Sequence, residues 1–177
     1  MRGPLVCLAL LAAGCVSVTG TDGTPGATDI QRTYASATAP FARSIVIPPG
    51  HETIRLPGMV ADPVTPARDG QPAVYGDTET QTASALAKIA AALAELGATE
   101  ADVVAMTVYL VSPAPGQPMD FAGMMRAYSK RYGADAQPNR PVRSTVQVAG
   151  LVAPGMLVEI EVTAARRARW KSVAGPK

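Results

Sequence analysis

Two stretches of the chain carry apolar residues at helical spacing. The first is predicted to begin at a Thr78-x-x-Gln81 capping box and to end at Gly97. The apolar residues of this helix are Leu86, Ile89, Leu93 and Leu96. A second helix is predicted behind Asp120, and its apolar face would hold Phe121, Met124, Met125, Tyr128 and Tyr132. We expect both faces to be buried against other elements.

Five shorter stretches have the pattern of β-strands. They lie at 44–47, 52–60, 103–111, 143–149 and 156–164. The turn residues Pro48-Pro49-Gly50 predict that the first two strands form a hairpin. Neither face of the third strand is very polar, which favours a central strand covered on both sides. The order β-β-α-β-α-β-β predicts an α+β fold, in which two helices pack on one face of a single mixed sheet.

The last two strands each have a polar face. In the final strand Glu159, Glu161 and Thr163 share one face, and in the strand before it Arg143 and Thr145 do so. A solvated antiparallel sheet would explain this pattern. A subunit interface with a polar cleft at its edge, where Arg143 meets a glutamate, would explain it equally well.

The N-terminal segment has the pattern of an export signal. Residues 1–14 combine one arginine, an apolar stretch and small residues, as a secretory signal peptide does. The sequence LAAGC at 11–15 resembles a bacterial lipobox, in which Cys15 would be lipidated; an ordinary cleaved signal with an incidental cysteine is the alternative. We therefore expect a lipid-anchored protein of the cell envelope or periplasm, with a soluble secreted protein as the alternative.

The rest of the chain divides into three parts. Residues 15–40 are rich in Thr, Gly, Ser, Ala and Pro without apolar periodicity, which predicts a flexible tether. Residues 41–167 form the predicted folded domain. Residues 168–177 are a basic tail, which either contacts anionic lipid or a partner or is a solvated end.

Composition excludes several classes of function. The chain has 177 residues, of which 47% are hydrophobic, and this is enough for one domain with a core. One histidine and two cysteines exclude a multi-ligand zinc site, a disulfide framework and a histidine-based triad. Residues 3–165 contain ten basic and fourteen acidic residues, a net charge of −4 that argues against nucleic-acid binding. The glycines form no phosphate-binding pattern, and we expect no cofactor and no metal.

Three segments together are similar to the RidA/YjgF family of imine/enamine deaminases. The most specific segment is RSTVQVAGL at 143–151, followed by VEIEV at 158–162. The second is a helix that opens with QT at 81–82 and ends with LAELGA at 93–98. The third comprises DVV at 102–104, DFA at 120–122 and Tyr128.

This resemblance implies a chorismate-mutase-like fold and a homotrimer, with a central barrel of sheets and clefts between subunits. It also implies hydrolysis of short 2-imino acids and their enamine tautomers to 2-keto acids and ammonia, without metal. In such a site Arg143 would bind the substrate carboxylate, and Glu159 would carry the proton transfers. Glu161 is the alternative residue for proton transfer. Backbone groups of Gly58 and Thr145 would hold the polar atoms of the substrate.

Three positions depart from the family pattern. Phe41 stands where the family has an aromatic hydroxyl, Pro57 replaces a serine, and Met125 replaces an asparagine of the second helix. Each change removes a hydrogen-bonding group from the predicted cleft. The pocket would then suit a more apolar substrate, or hydrolysis would give way to ligand binding. A non-catalytic module of the cell envelope that binds small carboxylates, and a structural envelope protein, are the alternative functions.

Overall fold

Residues 29–169, which the computed structural model describes, form six strands and two α-helices. The strands are β1 (Gln31–Thr33), β2 (Ser44–Val46), β3 (His51–Val60), β4 (Val103–Val111), β5 (Val142–Val148) and β6 (Val158–Arg167). The helices are α1 (Thr78–Glu95) and α2 (Phe121–Tyr128), and a short 3₁₀ helix at Glu100–Asp102 precedes β4.

Four of these strands form the main sheet, in the order β3-β6-β4-β5. Strand β6 is antiparallel to both of its neighbours, whereas β4 and β5 run parallel. A parallel pair needs a long crossover connection, and α2 lies in the one that joins β4 to β5. The predicted α+β class, with two helices and a mixed sheet, is confirmed. Strand β5 lies at an edge of the sheet.

Both helices contribute to a single hydrophobic core on one face of the sheet. Leu86, Ile89 and Leu93 of α1 are fully buried in one cluster with Val108 of β4 and Ile160 of β6. Burial of each large aliphatic side chain contributes about 1.5–3 kcal/mol to folding. We call the other face of the sheet the open face, because none of the described helices covers it. Its side chains include Thr107, Tyr109, Ser144, Val146, Glu159, Glu161 and Thr163.

The start of α1 differs from the prediction. The N-cap is Asp77, whose carboxylate accepts a hydrogen bond from the Thr80 amide at 2.8 Å, so the predicted Thr78-x-x-Gln81 capping box is wrong. The Gln81 side chain is fully buried and makes long-range bonds instead. Its amide donates to the carbonyl of Gly155 at 2.9 Å and its oxygen accepts from the Leu157 amide at 2.7 Å. Gln81 therefore ties α1 to the loop before β6.

The helix ends are close to the predicted ones. Helix α1 ends at Glu95 and is followed by Gly97, whose φ of +66° suits a glycine at a helix C-terminus. Helix α2 begins behind Asp120, as predicted, because the Asp120 side chain accepts from the Gly123 amide at 2.8 Å. It ends at Tyr128, earlier than the predicted face, and the Tyr132 ring beyond it stacks on Tyr128 with 5.0 Å between centroids.

The segment before β3 differs most from the prediction. Strand β2 pairs with β1 in a separate two-stranded sheet, so the predicted hairpin of 44–47 with 52–60 is wrong. Residues 29–40, which the sequence pattern assigns to a tether, contain β1 and make long-range contacts. Arg32 donates to the carbonyl of Ala101 at 3.0 Å, and the Arg140 amide donates to the Tyr34 hydroxyl at 3.2 Å. Such partners lie too far away in sequence for a local pattern to reveal them.

Several predicted features lie outside the described residues. They are the signal peptide at 1–14, the lipidation site Cys15 and most of the basic tail at 168–177. At the edge of the described part, Arg166 donates to Glu52 at 2.7 Å and Arg167 to Asp29 at 2.9 Å. Within residues 29–169, neither helix is long and apolar enough to cross a membrane.

Candidate functional site

Arg143 lies on β5, on the face of the sheet that the helices cover. Its register partner on β4 is Met106, which in turn pairs with Val162 of β6. Met106 and Val162 both belong to the hydrophobic core, and register partners point to the same face. Because β5 is an edge strand, Arg143 sits at the rim of this core and is half-buried.

Three aromatic rings surround the Arg143 guanidinium. Its central carbon is 4.3 Å from the centroid of the Tyr128 ring, 5.6 Å from that of Phe41 and 5.9 Å from that of Phe121. A cation at these distances is attracted to the negative faces of aromatic rings. Burial lowers the pKa of Arg143, and the neighbouring Tyr128 opposes that shift. An arginine nonetheless stays charged at neutral pH.

Two polar groups on this face of β5 have no hydrogen-bond partner among the described residues. They are Nη1 of Arg143 and Oγ1 of Thr145, and both are buried. A buried polar group without a partner is destabilising by about 1–3 kcal/mol, and more if it is charged. A ligand that supplied a negatively charged acceptor here would remove that penalty.

Tyr128 also fixes the segment that carries Phe41. Burial raises the pKa of Tyr128 to about 12, so its hydroxyl is protonated at neutral pH. This hydroxyl donates to the carbonyl of Pro40 at 2.9 Å, and the Ala42 amide donates to the carbonyl of Pro141 at 2.9 Å. These bonds hold the segment around Phe41 against α2 and the start of β5.

A pocket of about 720 Å³ adjoins Arg143. Residues 35, 36 and 39–43 form one wall, and residues 105–107 of β4 and 142–144 of β5 form the other. The two charged residues among them are Arg43 and Arg143, and none of the described lining residues is acidic. The pocket therefore suits an anionic ligand.

The two candidate glutamates lie on the open face. Glu159 is the register partner of Tyr109, and Glu161 accepts a hydrogen bond from the Tyr109 hydroxyl at 3.1 Å. This bond to Glu161 raises the pKa of Tyr109, and burial adds to the effect. Glu159 has no hydrogen-bond partner among residues 29–169, so its carboxylate is the freer of the two to take part in proton transfer.

Gly58 leaves the space in which the Glu159 carboxylate lies. It belongs to an irregular part of β3, where the pairing with β6 shifts between Leu56 and Met59. A Cβ atom on Gly58 would lie 1.8 Å from Oε1 of Glu159. The carboxylate therefore sits directly against the backbone of β3.

Comparison with known proteins identifies the family. Residues 33–166 match the family model described as endoribonuclease L-PSP. The chain belongs to the RidA/YjgF family. Among solved structures, the Rid-family protein YyfB from Yersinia pestis, of unknown function, is 27% identical. That match covers 71% of this chain and 86% of YyfB, with a TM-score of 0.54.

Two further solved structures are similar to this RidA/YjgF chain. Rv2704 from Mycobacterium tuberculosis is 31% identical over 70% of this chain and 85% of its own, with a TM-score of 0.47. TdcF from E. coli, solved with bound serine, is 25% identical over 74% of this chain and 95% of its own, with a TM-score of 0.49.

The RidA/YjgF chain brings some of its predicted site residues together and separates others. Arg143, Thr145 and Phe41 form one group at the rim of the core, whereas Glu159 and Gly58 form a second group on the open face. Arg143 and Glu159 thus lie on opposite faces of the sheet within one chain. They can share one site only if a second copy supplies one of them.

Other positions have roles that the sequence pattern did not reveal. Met125, predicted to line the cleft, is half-buried and packs against the core. Phe121 and Tyr128, predicted as parts of a buried helix face and of a family-like segment but given no role in the site, flank the guanidinium of Arg143. Helical spacing places both on one side of α2, but only the packing of α2 against β5 brings them to the arginine.

Proposed function

We propose that this chain is a 2-imino acid deaminase, which hydrolyses the C=N bond of 2-imino acids or their enamine tautomers. The observation that carries the proposal is the half-buried guanidinium of Arg143, whose Nη1 has no hydrogen-bond partner among the described residues. Arg143 also borders a pocket in which none of the described lining residues is acidic. Membership of the RidA/YjgF family supports it. Neither metal nor cofactor forms part of the proposal.

Arg143 binds the substrate carboxylate in this proposal. A guanidinium can donate two parallel hydrogen bonds to the two carboxylate oxygens, which fixes the plane of the substrate as well as its position. The Tyr128 ring beneath the guanidinium keeps the arginine in place before the substrate arrives. Because the arginine is already held in place, less conformational entropy is lost when the substrate binds.

Glu159 carries the proton transfers. Water adds to the imine carbon as Glu159 takes one of its protons and passes it to the nitrogen, which gives a carbinolamine. Glu159 then takes the proton of the new hydroxyl group and delivers it to the amino group, so that the C=O bond forms as the C–N bond breaks. The products are a 2-keto acid and ammonia, and no oxidant is needed. Because Glu159 and Arg143 face opposite sides of the sheet, the glutamate that serves one Arg143 comes from another copy of the chain. We therefore propose a homotrimer with sites between subunits.

The test is an assay of 2-keto acid release from an imine formed in situ by an amino-acid oxidase. The wild-type chain should accelerate release above the rate in buffer, and Arg143→Ala should remove the acceleration. Arg68→Ala is the control, because Arg68 is an exposed arginine in the loop between β3 and α1. Equal rates for wild type and buffer would contradict the proposed activity.

A non-catalytic small-carboxylate-binding module is the second candidate function. The separation of Arg143 from Glu159 within one chain favours it, since one copy alone holds the binding group without the acid. In that case 2-keto acids would raise the melting temperature of wild type but not of Arg143→Ala, and no imine would be hydrolysed. The net charge of −4 over residues 3–165 is why we do not propose RNA as a substrate.

We also propose that the protein is exported and anchored by a lipid on Cys15. The signal-like sequence at 1–14 and the LAAGC sequence support this location. Incorporation of labelled fatty acid into wild type, but not into Cys15→Ala, is the expected result. Truncation of the basic tail in the Cys15→Ala background separates tail-mediated membrane binding from anchoring by the lipid.

A further inference from the structure

The apolar surroundings of Arg143 point to a class of substrate. Phe41 and Phe121 flank the guanidinium, yet they remain 42% and 43% exposed. Large apolar side chains that are half exposed beside a binding group are typical of a ligand-binding surface. Their rings are therefore available to a molecule that binds to Arg143.

A carboxylate bound to Arg143 would bring its side chain into the neighbourhood of these rings. A carboxylate that accepts two hydrogen bonds from the guanidinium lies next to it, in its plane. The ring centroids are 5.6 and 5.9 Å from the central carbon of the guanidinium. The substituent on the second carbon of the ligand would then be near enough to reach one of these rings.

The adjoining pocket has the size and lining for a large apolar group. Its volume of about 720 Å³ is within the range of about 300–1,000 Å³ that is typical of small-molecule sites. The wall formed by residues 35, 36 and 39–43 is mostly alanine, proline and phenylalanine. An imine with a methyl side chain would leave most of this surface in contact with water.

Charge argues against other side chains. None of the described lining residues is acidic, so a basic side chain would find no partner in the pocket. Arg43 also lines the pocket and could attract a second carboxylate, but Arg43 is exposed to solvent. A solvent-exposed charge contributes little to binding, whereas the phenyl rings are beside the anchoring group.

We infer that this chain acts on 2-imino acids with bulky apolar side chains, branched aliphatic or aromatic, and that Phe41 and Phe121 determine this specificity. The inference rests on the proposed deaminase function and replaces the short substrates that the family resemblance implies. Discrimination by an apolar pocket is about 10–200-fold for each well-packed group. We therefore expect kcat/KM for the leucine-derived imine to exceed that for the alanine-derived imine by at least about tenfold.

The experiment measures the ratio of these two kcat/KM values in wild type, Phe41→Ala and Phe121→Ala. The ratio should fall towards one in each alanine variant, because any general effect of the substitution on Arg143 applies to both substrates and cancels. Phe41→Leu is the matched variant that keeps an apolar side chain, and it should retain most of the preference. A wild-type ratio of one or less, or a ratio unchanged in both alanine variants, would overturn the inference while leaving the deaminase function intact.

Binding of stable keto acids tests the inference independently of catalysis. Thermal shifts are recorded with pyruvate, 4-methyl-2-oxopentanoate, phenylpyruvate and 2-oxoglutarate at equal concentrations. A larger shift with either apolar acid than with both pyruvate and 2-oxoglutarate supports the inference, even if no imine is hydrolysed and the proposed function fails. Equal shifts or a largest shift with pyruvate overturn it, and the largest shift with 2-oxoglutarate overturns it by assigning specificity to Arg43 instead.

Discussion

The position of the Glu159 carboxylate depends on the absence of a side chain at residue 58. A methyl group on Gly58 would lie 1.8 Å from Oε1 of Glu159 and 2.6 Å from its carboxyl carbon, so the glutamate would have to move. Gly58→Ala should therefore lower kcat of the proposed reaction by about tenfold or more. This expectation is modest, because a positioned proton-transfer group usually contributes more than tenfold to the rate. The melting temperature should change little, because the end of a glutamate side chain can rotate away.

Gly150→Ala is the matched control for that substitution. Gly150 follows β5, and a Cβ atom on it would have no heavy atom within 4 Å. This variant should keep wild-type kcat and wild-type stability. If Gly58→Ala also keeps full activity, the exact position of Glu159 is unimportant to the reaction and the role proposed for this carboxylate is wrong.

The two helices are joined by a small network of ion pairs around Glu79. This residue of α1 accepts from Lys130 at 2.7 Å and from Arg126 of α2 at 2.6 Å. These two hydrogen bonds lower the pKa of Glu79 below its usual value of 4.5. A carboxylate whose pKa is lower in the folded state stabilises the fold above its unfolded pKa, and the stabilisation is lost as the pH falls through the folded pKa.

Glu79→Gln should accordingly lower the melting temperature at neutral pH but not at low pH. An exposed network of ion pairs contributes little to stability, so we expect the melting temperatures of wild type and Glu79→Gln to differ by about 1–3 °C at pH 7. The difference should shrink as the pH falls below 4.5. Glu95→Gln is the control, since Glu95 is an exposed residue of α1 without an ion pair among residues 29–169. A deficit that stays constant down to pH 3 would show that the effect of the substitution is not ionic.

The local sequence pattern predicted the positions of helices and strands better than the contacts that each of them makes. The strand at 103–111 and the start of α2 follow from apolar spacing and from Asp120, which are local features. The pattern missed strand β1, which pairs with β2 and lies in a segment whose Arg32 and Tyr34 contact residues far along the chain. For the same reason the motif predicts Arg143 and Glu159 as site residues, but only the register of β5, β4 and β6 shows that they face opposite sides.

The open face is the surface through which we propose that copies of the chain associate. It combines polar side chains with Val146, which lies on the edge strand and is 43% exposed. A long charged side chain at this position would have to be taken out of water and fitted into such an interface, which is strongly destabilising. Val146→Arg should therefore convert the assembly to a monomer, as measured by light scattering, and abolish activity.

Val64→Arg, a substitution of an exposed valine in the loop before α1, should change neither property. A Val146→Arg variant of unchanged mass would exclude the open face as the interface.

A site shared between copies makes a prediction that no single chain can satisfy. If Arg143 of one copy works with Glu159 of another, then Arg143→Ala and Glu159→Gln are each inactive alone but complement each other when mixed. After unfolding and refolding of an equal mixture, each site in a closed ring has an intact arginine in half of the cases and an intact glutamate in half. About one quarter of wild-type activity should then return.

Mixing the two variants without subunit exchange is the control and should restore nothing. If the refolded mixture stays inactive while refolded wild type recovers, Arg143 of one copy does not work with Glu159 of another, and the site proposed between subunits is wrong.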